Sequence, residues 1–118
     1  MGEFGEKIAR QFLEKKKLKF CEKNFCAAGG EIDLIFFDIA RDEFVFVEVK
    51  IRTNTAFGDG ASAITSHKFQ KILAAAEFFF AQKNFEKIPN FRIDAIILRL
   101  DRGKIFCQHL QNLGETDF

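Results

Sequence analysis

Three residues in two neighbouring apolar segments have the types and spacing of a reactive site. Asp33 lies in the apolar segment 30–35, and Glu48 and Lys50 follow fifteen and seventeen residues later in a second apolar segment. Carboxylate oxygens are the ligands that hard divalent cations prefer, and charged residues in buried strands are unfavourable without partners. The pattern predicts a functional site with a divalent cation, and solvated acids on an exposed sheet face are the alternative.

The turn between the two segments decides whether the carboxylates meet. If residue 38 pairs with residue 43 across a short turn, Asp33 faces Glu48 and Glu31 faces Lys50. Directly opposed residues have Cβ atoms about 5 Å apart, so the two carboxylates repel unless a cation lies between them. A shift of one residue in the pairing puts them on opposite faces, so the prediction depends on this register.

Two helices and five strands must position these residues. Apolar residues at helical spacing predict helices over 3–16 and 66–84. Alternating and continuous apolar runs predict strands over 18–24, 31–38, 43–52, 91–99 and 104–110, with loops at 26–30 and 53–65. The second helix is a crossover that makes the third and fourth strands parallel. We therefore expect an α/β protein whose mixed sheet of about five strands is flanked by helices, with the third strand central.

The composition predicts one globular domain over residues 1–118. The aromatic residues are 17 Phe with no Trp or Tyr, so they should serve the core. The net charge is +3 over 1–30, −4 over 31–50 and +2 over 51–118, which suits a metal site within a polyanion-binding surface or simply solvated faces. Three cysteines without a Cys-x-x-Cys pattern predict buried free thiols, and the lack of a long apolar stretch predicts a cytoplasmic protein that does not enter a membrane.

Taken together, the motifs carry a family resemblance. Asp33 followed by Glu48, Val49 and Lys50 resembles the motif of the PD-(D/E)XK nuclease superfamily, although Ile32 stands where that motif has proline. More closely, the chain resembles the YraN-type family of small uncharacterised bacterial proteins with a restriction-endonuclease-like αβββαββ core. The matching positions cover essentially the whole chain: Gly5, Glu6, Ala9, Asn24, 30–35, 47–50, Arg52, Lys68 and 91–94.

The resemblance implies a Mg²⁺ or Mn²⁺ site and a role for each matching residue. Asp33, Glu48 and the Val49 carbonyl would hold the metal, and Lys50 would orient the attacking water or stabilise the phosphate oxygens. Glu6 resembles a helix carboxylate that approaches such sites, and a carboxylate placed by the helix dipole is the alternative. The residues expected to bind nucleic acid are Arg52 and Lys68, with a solvated lysine as the alternative for the second.

Two functions from different classes follow. The first is a metal-dependent endonuclease that hydrolyses phosphodiester bonds in DNA, with a branched or processing intermediate as substrate. The second is a non-catalytic nucleic-acid-binding or adaptor protein that keeps the nuclease fold. Either protein could form a homodimer.

Three other sites have simpler expectations. His109 is expected on the strand surface, and the lysine run 15–17 is expected either to make remote phosphate contacts or to be solvated. Asp94 is expected either to form an ion pair with Arg92 or to belong to a second metal site.

Overall fold

The order of elements is the predicted one. The structure, a computed structural model, describes residues 2–53 and 64–114. Its elements are α1 (Gly2–Lys15), β1 (Leu18–Ala27), β2 (Gly30–Asp38), β3 (Glu43–Thr53), α2 (Ser66–Gln82), β4 (Phe91–Asp101) and β5 (Lys104–Leu110). The α/β class and the αβββαββ order are thus confirmed.

The five strands form one mixed sheet in the order β1-β2-β3-β4-β5. Only β3 and β4 are parallel among these strands, and the other neighbours are antiparallel. The chain between β3 and β4 includes α2, the kind of crossover that a parallel pair requires. β3 lies at the centre, as predicted, because its successive residues Val45, Phe46 and Val47 are buried on both faces of the sheet.

Each helix covers one face of the sheet and has its own apolar core. On the α1 face, Ala9 and Leu13 belong to an apolar cluster that also contains side chains of β1, β2, β3 and β4. A Cβ atom on Gly5 would lie 2.7 Å from Cδ1 of Ile51, so glycine allows the start of α1 to lie directly on β3. Neither helix of the described chain is long and apolar enough to cross a membrane.

The α2 face is filled mainly by phenylalanine, although the expectation that nearly all of these rings serve the core is wrong for the exposed Phe4, Phe78, Phe85 and Phe106. Four rings, from Phe44, Phe46, Phe79 and Phe80, meet edge to face with centroids 5.2–6.0 Å apart. Edge-to-face contacts are the favoured geometry for aromatic pairs, so this cluster fixes α2 on β3.

The connection between β1 and β2 is shorter than predicted. The loop expected at 26–30 is a two-residue turn, since both strands extend into it and only Ala28 and Gly29 connect them, with φ of 53° and 74°. Positive φ at both positions is the geometry of the tight hairpin turns that follow the twist of the strands. The next residue, Gly30, packs so closely on α2 that a Cβ would lie 2.6 Å from the Lys71 carbonyl oxygen. Of the loop predicted at 53–65, residues 54–63 lie outside the described residues.

Candidate active site

The β2–β3 hairpin has the register on which the carboxylate site was predicted. Opposed residues run from Asp38 with Glu43 to Leu34 with Val47, so their numbers keep the same sum along the whole ladder. The predicted turn, which leaves residues 39–42 between the strands, is confirmed.

The ladder ends one pair before the carboxylates, and this end forms the site. Asp33 Oδ2 accepts a hydrogen bond from the Val49 backbone N–H at 2.7 Å, in place of a backbone bond between the strands. The Asp33 carboxyl is thereby held beside Glu48, close enough for the two charges to interact strongly. The predicted pairing of Glu31 with Lys50 is wrong, because β2 no longer pairs with β3 at that point and Glu31 is exposed.

Glu48 is a buried carboxylate whose two oxygens have different surroundings. The residue is 2% exposed. Its Oε2 lies 3.1 Å from Lys50 Nζ and 3.7 Å from Lys68 Nζ. With both acids ionised, its Oε1 is buried and accepts no hydrogen bond among the described residues, whereas a protonated Asp33 donates a hydrogen bond to Glu48. A buried acceptor without a partner loses its hydration without compensation, so Oε1 is suited to bind a cation or to accept from a donor.

Asp33 is the acid whose protonation this arrangement changes most. Burial, and then the charge of Glu48, raise the pKa of Asp33 to about 7, against the opposing effect of the Val49 N–H hydrogen bond. Repulsion from Glu6 adds to the rise. A raised pKa means that the pair is strained when both acids are ionised, so a proton or a cation relieves it.

Glu6, on α1, is close enough to Asp33 for its charge to act on that acid. Its neighbour Gly5 brings the helix against β3, and Glu6 faces Asn24 of β1. With the Asn24 amide oriented so that its nitrogen faces the carboxylate, that nitrogen donates to both Glu6 oxygens at 3.0 and 3.1 Å. Burial raises the pKa of Glu6, the Asn24 hydrogen bond lowers it, and the charge of Glu31 raises it again. Asn24 adopts φ of 53°, a conformation that asparagine tolerates better than most residues.

Lys68 is fixed at the third position of α2 by the way this helix begins. Thr65 is the N-cap, and its Oγ1 accepts the Lys68 backbone N–H at 3.1 Å. Ile64 and Phe69, on either side of this turn, are both buried in the α2-face core, which is the arrangement of a hydrophobic staple. The cap and the staple set the direction of the helix, so the Lys68 side chain reaches Glu48.

Arg52 has a different environment from Lys68. It follows Lys50 on β3 and is half-buried. The contact described for it is with its own strand, where Nη1 lies 3.5 Å from the Ile51 carbonyl oxygen. The structure therefore brings Lys68 to the carboxylates, together with Lys50, and leaves Arg52 further along the strand.

The oxygen atoms at the end of the β2–β3 ladder are of the type that a hard divalent cation prefers, but they are fewer than its full set of ligands. Asp33 and Glu48 supply two carboxylates, and Glu48 Oε1 is free to bind. The Val49 carbonyl is on the side of Asp33, since the N–H and C=O groups of one strand residue point to the same neighbouring strand. In the described parts of the chain, no three His, Cys, Asp or Glu side chains are grouped to hold a metal. Two carboxylates and a backbone carbonyl are the kind of donor set used by Mg²⁺, which takes one or two carboxylates and keeps several waters.

A second polar cluster, centred on Arg92, lies near the other end of the hairpin. Arg92 is 5% exposed, and its Nη1 donates to Asp38 Oδ2 at 2.8 Å and to Glu43 Oε1 at 2.7 Å. Its Nε donates to Asp94 Oδ1 at 3.1 Å. Of the two predicted alternatives for Asp94, the structure has the ion pair with Arg92.

The Arg92 cluster also contains a histidine whose environment sequence reasoning missed. The His109 side chain is 3% exposed, so the expected surface position is wrong. Its Nε2 lies 2.7 Å from Asp94 and its Nδ1 2.9 Å from Lys16 Nζ, so the ring bridges the acid and the lysine. The Asn112 N–H also donates to Asp94. The signal in the sequence is the pair of charged residues, Arg92 and Asp94, within the apolar run 91–98, because charges in a buried strand need polar partners such as His109.

Comparison with known proteins identifies the family. The model of the family described as "Uncharacterised protein family UPF0102" matches residues 5–98. A UPF0102 protein of Caldanaerobacter subterraneus subsp. tengcongensis is 44% identical over 103 residues, which are 86% of this chain and 83% of that protein. One from Clostridioides difficile is 37% identical over 111 residues, 94% and 93% of the two chains, and one from Marinomonas is 39% identical over 109 residues, 92% and 81% of the two. The predicted YraN-type resemblance is confirmed: the chain belongs to the UPF0102 family.

Proposed function

We propose that this protein is a metal-dependent endonuclease that hydrolyses phosphodiester bonds in DNA, branched or processing intermediates included. The observation that carries the proposal is the buried Glu48 carboxylate, whose Oε1 has no described hydrogen-bond partner beside a second carboxylate, that of Asp33. Such a pair is unfavourable for a fold and favourable for binding a cation, so its presence in a strand core supports a functional role.

The residues that would hold Mg²⁺ or Mn²⁺ are Asp33, Glu48 and the Val49 backbone carbonyl. When bound, the metal supplies a water of lowered pKa and positive charge at the phosphate. The Val49 N–H fixes the Asp33 carboxyl, and the burial of Glu48 fixes the second carboxylate. Both ligands are thus oriented before any ion arrives.

Lys50 is suited to stabilise charge on the scissile phosphate. Its ammonium lies 3.1 Å from Glu48, and its side chain is one-third exposed, so it can also reach a bound phosphate oxygen. Hydrogen-bond donors held where negative charge develops in the transition state are a large contribution to catalysis. Glu6, which Asn24 holds and whose charge acts on Asp33, would bind or orient a water at the Asp33 side.

The test is an incubation of the full chain with duplex, single-stranded and branched DNAs in Mg²⁺, in Mn²⁺ and in chelator. We expect cleavage of at least one substrate with metal and none in chelator, and loss of cleavage in Lys50→Met without loss of DNA binding. Cleavage that persists in chelator, or an active Lys50→Met variant, would show that this site is not the active site.

A non-catalytic nucleic-acid-binding protein is the second candidate, and one observation favours it. Glu48 Oε2 already has Lys50 and Lys68 as partners, so one ligand oxygen is neutralised by the protein itself. The same DNA panel separates the two candidates. Binding that falls with salt, without cleavage in either metal, would support the binding protein.

A further inference from the structure

We infer that Lys68 is a positioning residue that couples phosphate binding to cation binding at Glu48. In the free protein its ammonium neutralises Glu48, and on binding DNA it turns to a backbone phosphate and leaves the carboxylate to the metal. This inference rests on the proposed function, since it assumes a cation at Asp33 and Glu48. It assigns Lys68 a role beyond the phosphate contact predicted from the sequence.

The first support is that the two lysines reach Glu48 from different elements. Lys50 lies on β3 two residues after Glu48, so it shares a strand face with its partner. Lys68 reaches Glu48 from α2, and the helix cap and staple fix where its backbone stands. Movement of the Lys68 side chain alone can therefore change the charge around Glu48 without disturbing the sheet.

The second support is the difference in the two contacts. The Lys50 ammonium lies 3.1 Å from Glu48 Oε2, within hydrogen-bond range, whereas the Lys68 ammonium lies 3.7 Å from the same oxygen. Both lysine side chains are about one-third exposed and that of Glu48 is 3% exposed, so the two contacts differ in distance and not in exposure. The Lys68 ammonium can therefore be reached by a phosphate from solvent, whereas the Glu48 carboxylate is shielded from solvent.

The third support is electrostatic. A divalent cation bound to Glu48 would repel the Lys68 ammonium, which lies 3.7 Å from Oε2 of that carboxylate, because like charges that share one carboxylate repel each other. Lys68 and the cation therefore oppose each other at Glu48, and a phosphate that draws Lys68 away favours the cation. Coupling between two ligands is reciprocal, so the cation also favours the phosphate.

The experiment measures Mn²⁺ affinity by isothermal titration calorimetry, without and with a phosphorothioate duplex that keeps the backbone charge and slows hydrolysis. The variants are Lys68→Met, Lys68→Arg and the control Lys71→Met. Lys71 lies one turn further along α2, with its Nζ beside Gly29 rather than at Glu48. The control therefore removes the same charge from the same helix.

We expect the duplex to tighten Mn²⁺ binding at least fivefold in the wild type, in Lys68→Arg and in Lys71→Met. In Lys68→Met, Mn²⁺ should bind at least fivefold more tightly than in the wild type without DNA, and the duplex should change this affinity less than twofold. A Lys68→Met protein with wild-type affinity and wild-type coupling would refute the inference and leave the proposed function standing. Absence of Mn²⁺ binding in every variant, with DNA or without it, would refute the proposed function and the inference together.

Discussion

The replacement of Asp33 by asparagine should stabilise the metal-free protein. The asparagine side chain would keep the shape of the aspartate and an oxygen for the Val49 N–H, and it would remove the charge that repels Glu48. Its amide nitrogen could also donate to Glu48 Oε1, which lacks a described partner. We expect the Asp33→Asn variant to unfold at a higher temperature than the wild type in chelator at pH 8.

The magnitude follows from the pKa of Asp33, which rises from 3.8 to about 7 on folding. About three pH units at about 1.4 kcal/mol each set an upper limit near 4 kcal/mol for the cost of ionised Asp33 in the folded state. Water reaches this half-buried carboxyl and screens part of the repulsion, so we expect about 2 kcal/mol. For a domain of this length that corresponds to a rise in melting temperature of about 6–10 °C.

The pH dependence has a definite sign. Because the folded state binds the proton more tightly than the unfolded chain, wild-type stability falls as pH rises from about 4 to 7. The variant lacks this titration, so the difference between the two melting temperatures should be largest above pH 7 and vanish near pH 4. Other titrating groups are common to both proteins, and the comparison at each pH cancels most of their effect.

The assay is thermal unfolding followed by circular dichroism, in chelator and in Mg²⁺, between pH 4 and 8. Asp42→Asn, the same change at an exposed turn residue, is the matched control and should alter stability by less than about 0.5 kcal/mol. Mg²⁺ should raise the melting temperature of the wild type and of the control, but hardly that of Asp33→Asn. If Asp33→Asn melts below the wild type in chelator at pH 8 and responds to Mg²⁺ like the wild type, the two carboxylates are not opposed across a cation site.

Three further substitutions test other parts of the structure. Arg92→Met removes the cation that three carboxylates share, among them fully buried Asp94, so chemical denaturation should show a loss of about 3–5 kcal/mol. A loss below about 1 kcal/mol would contradict the Arg92 cluster. Gly30→Ala places a Cβ 2.6 Å from a carbonyl oxygen of α2 and should cost about 1–3 kcal/mol by the same measurement, whereas Gly2→Ala, with no atom within 4 Å, should cost little. In DNA-binding titrations at several salt concentrations, Arg52→Ala should reduce the slope of log affinity against log salt by about one; an unchanged slope would show that Arg52 makes no phosphate contact.

Sequence alone was sufficient for the hairpin that contains the site. The short turn between Asp38 and Glu43 leaves one register that keeps the apolar residues of both strands buried, and this register brings Asp33 to Glu48. The end of the ladder was not predictable in the same way. The ladder ends because the Asp33 side chain, rather than a backbone carbonyl of β2, accepts the Val49 N–H. A prediction from alternating side chains assumes that backbone pairing continues, so it misses this end.

Contacts that depend on packing between distant elements were out of reach of the sequence. Lys68 reaches Glu48 only because α2 is fixed on the sheet by its cap and by the phenylalanine core. His109 is buried because the end of α1 brings Lys16 to one side of its ring and Asp94 lies on the other. Strand alternation predicted correctly that Arg92 and Asp94 share a face, but the partners of that face come from segments far away in the chain.

The most direct test of the central claim is the single-turnover cleavage rate of Glu48→Gln on the best DNA substrate in Mg²⁺. Glutamine keeps the size of the buried side chain and removes the charge that would hold the metal. We expect a rate at least about 1000-fold below that of the wild type, or about 4 kcal/mol of transition-state stabilisation, with DNA affinity unchanged within a few fold. A Glu48→Gln protein that cleaves within tenfold of the wild-type rate would contradict the account, because the buried carboxylate would then have no part in the chemistry.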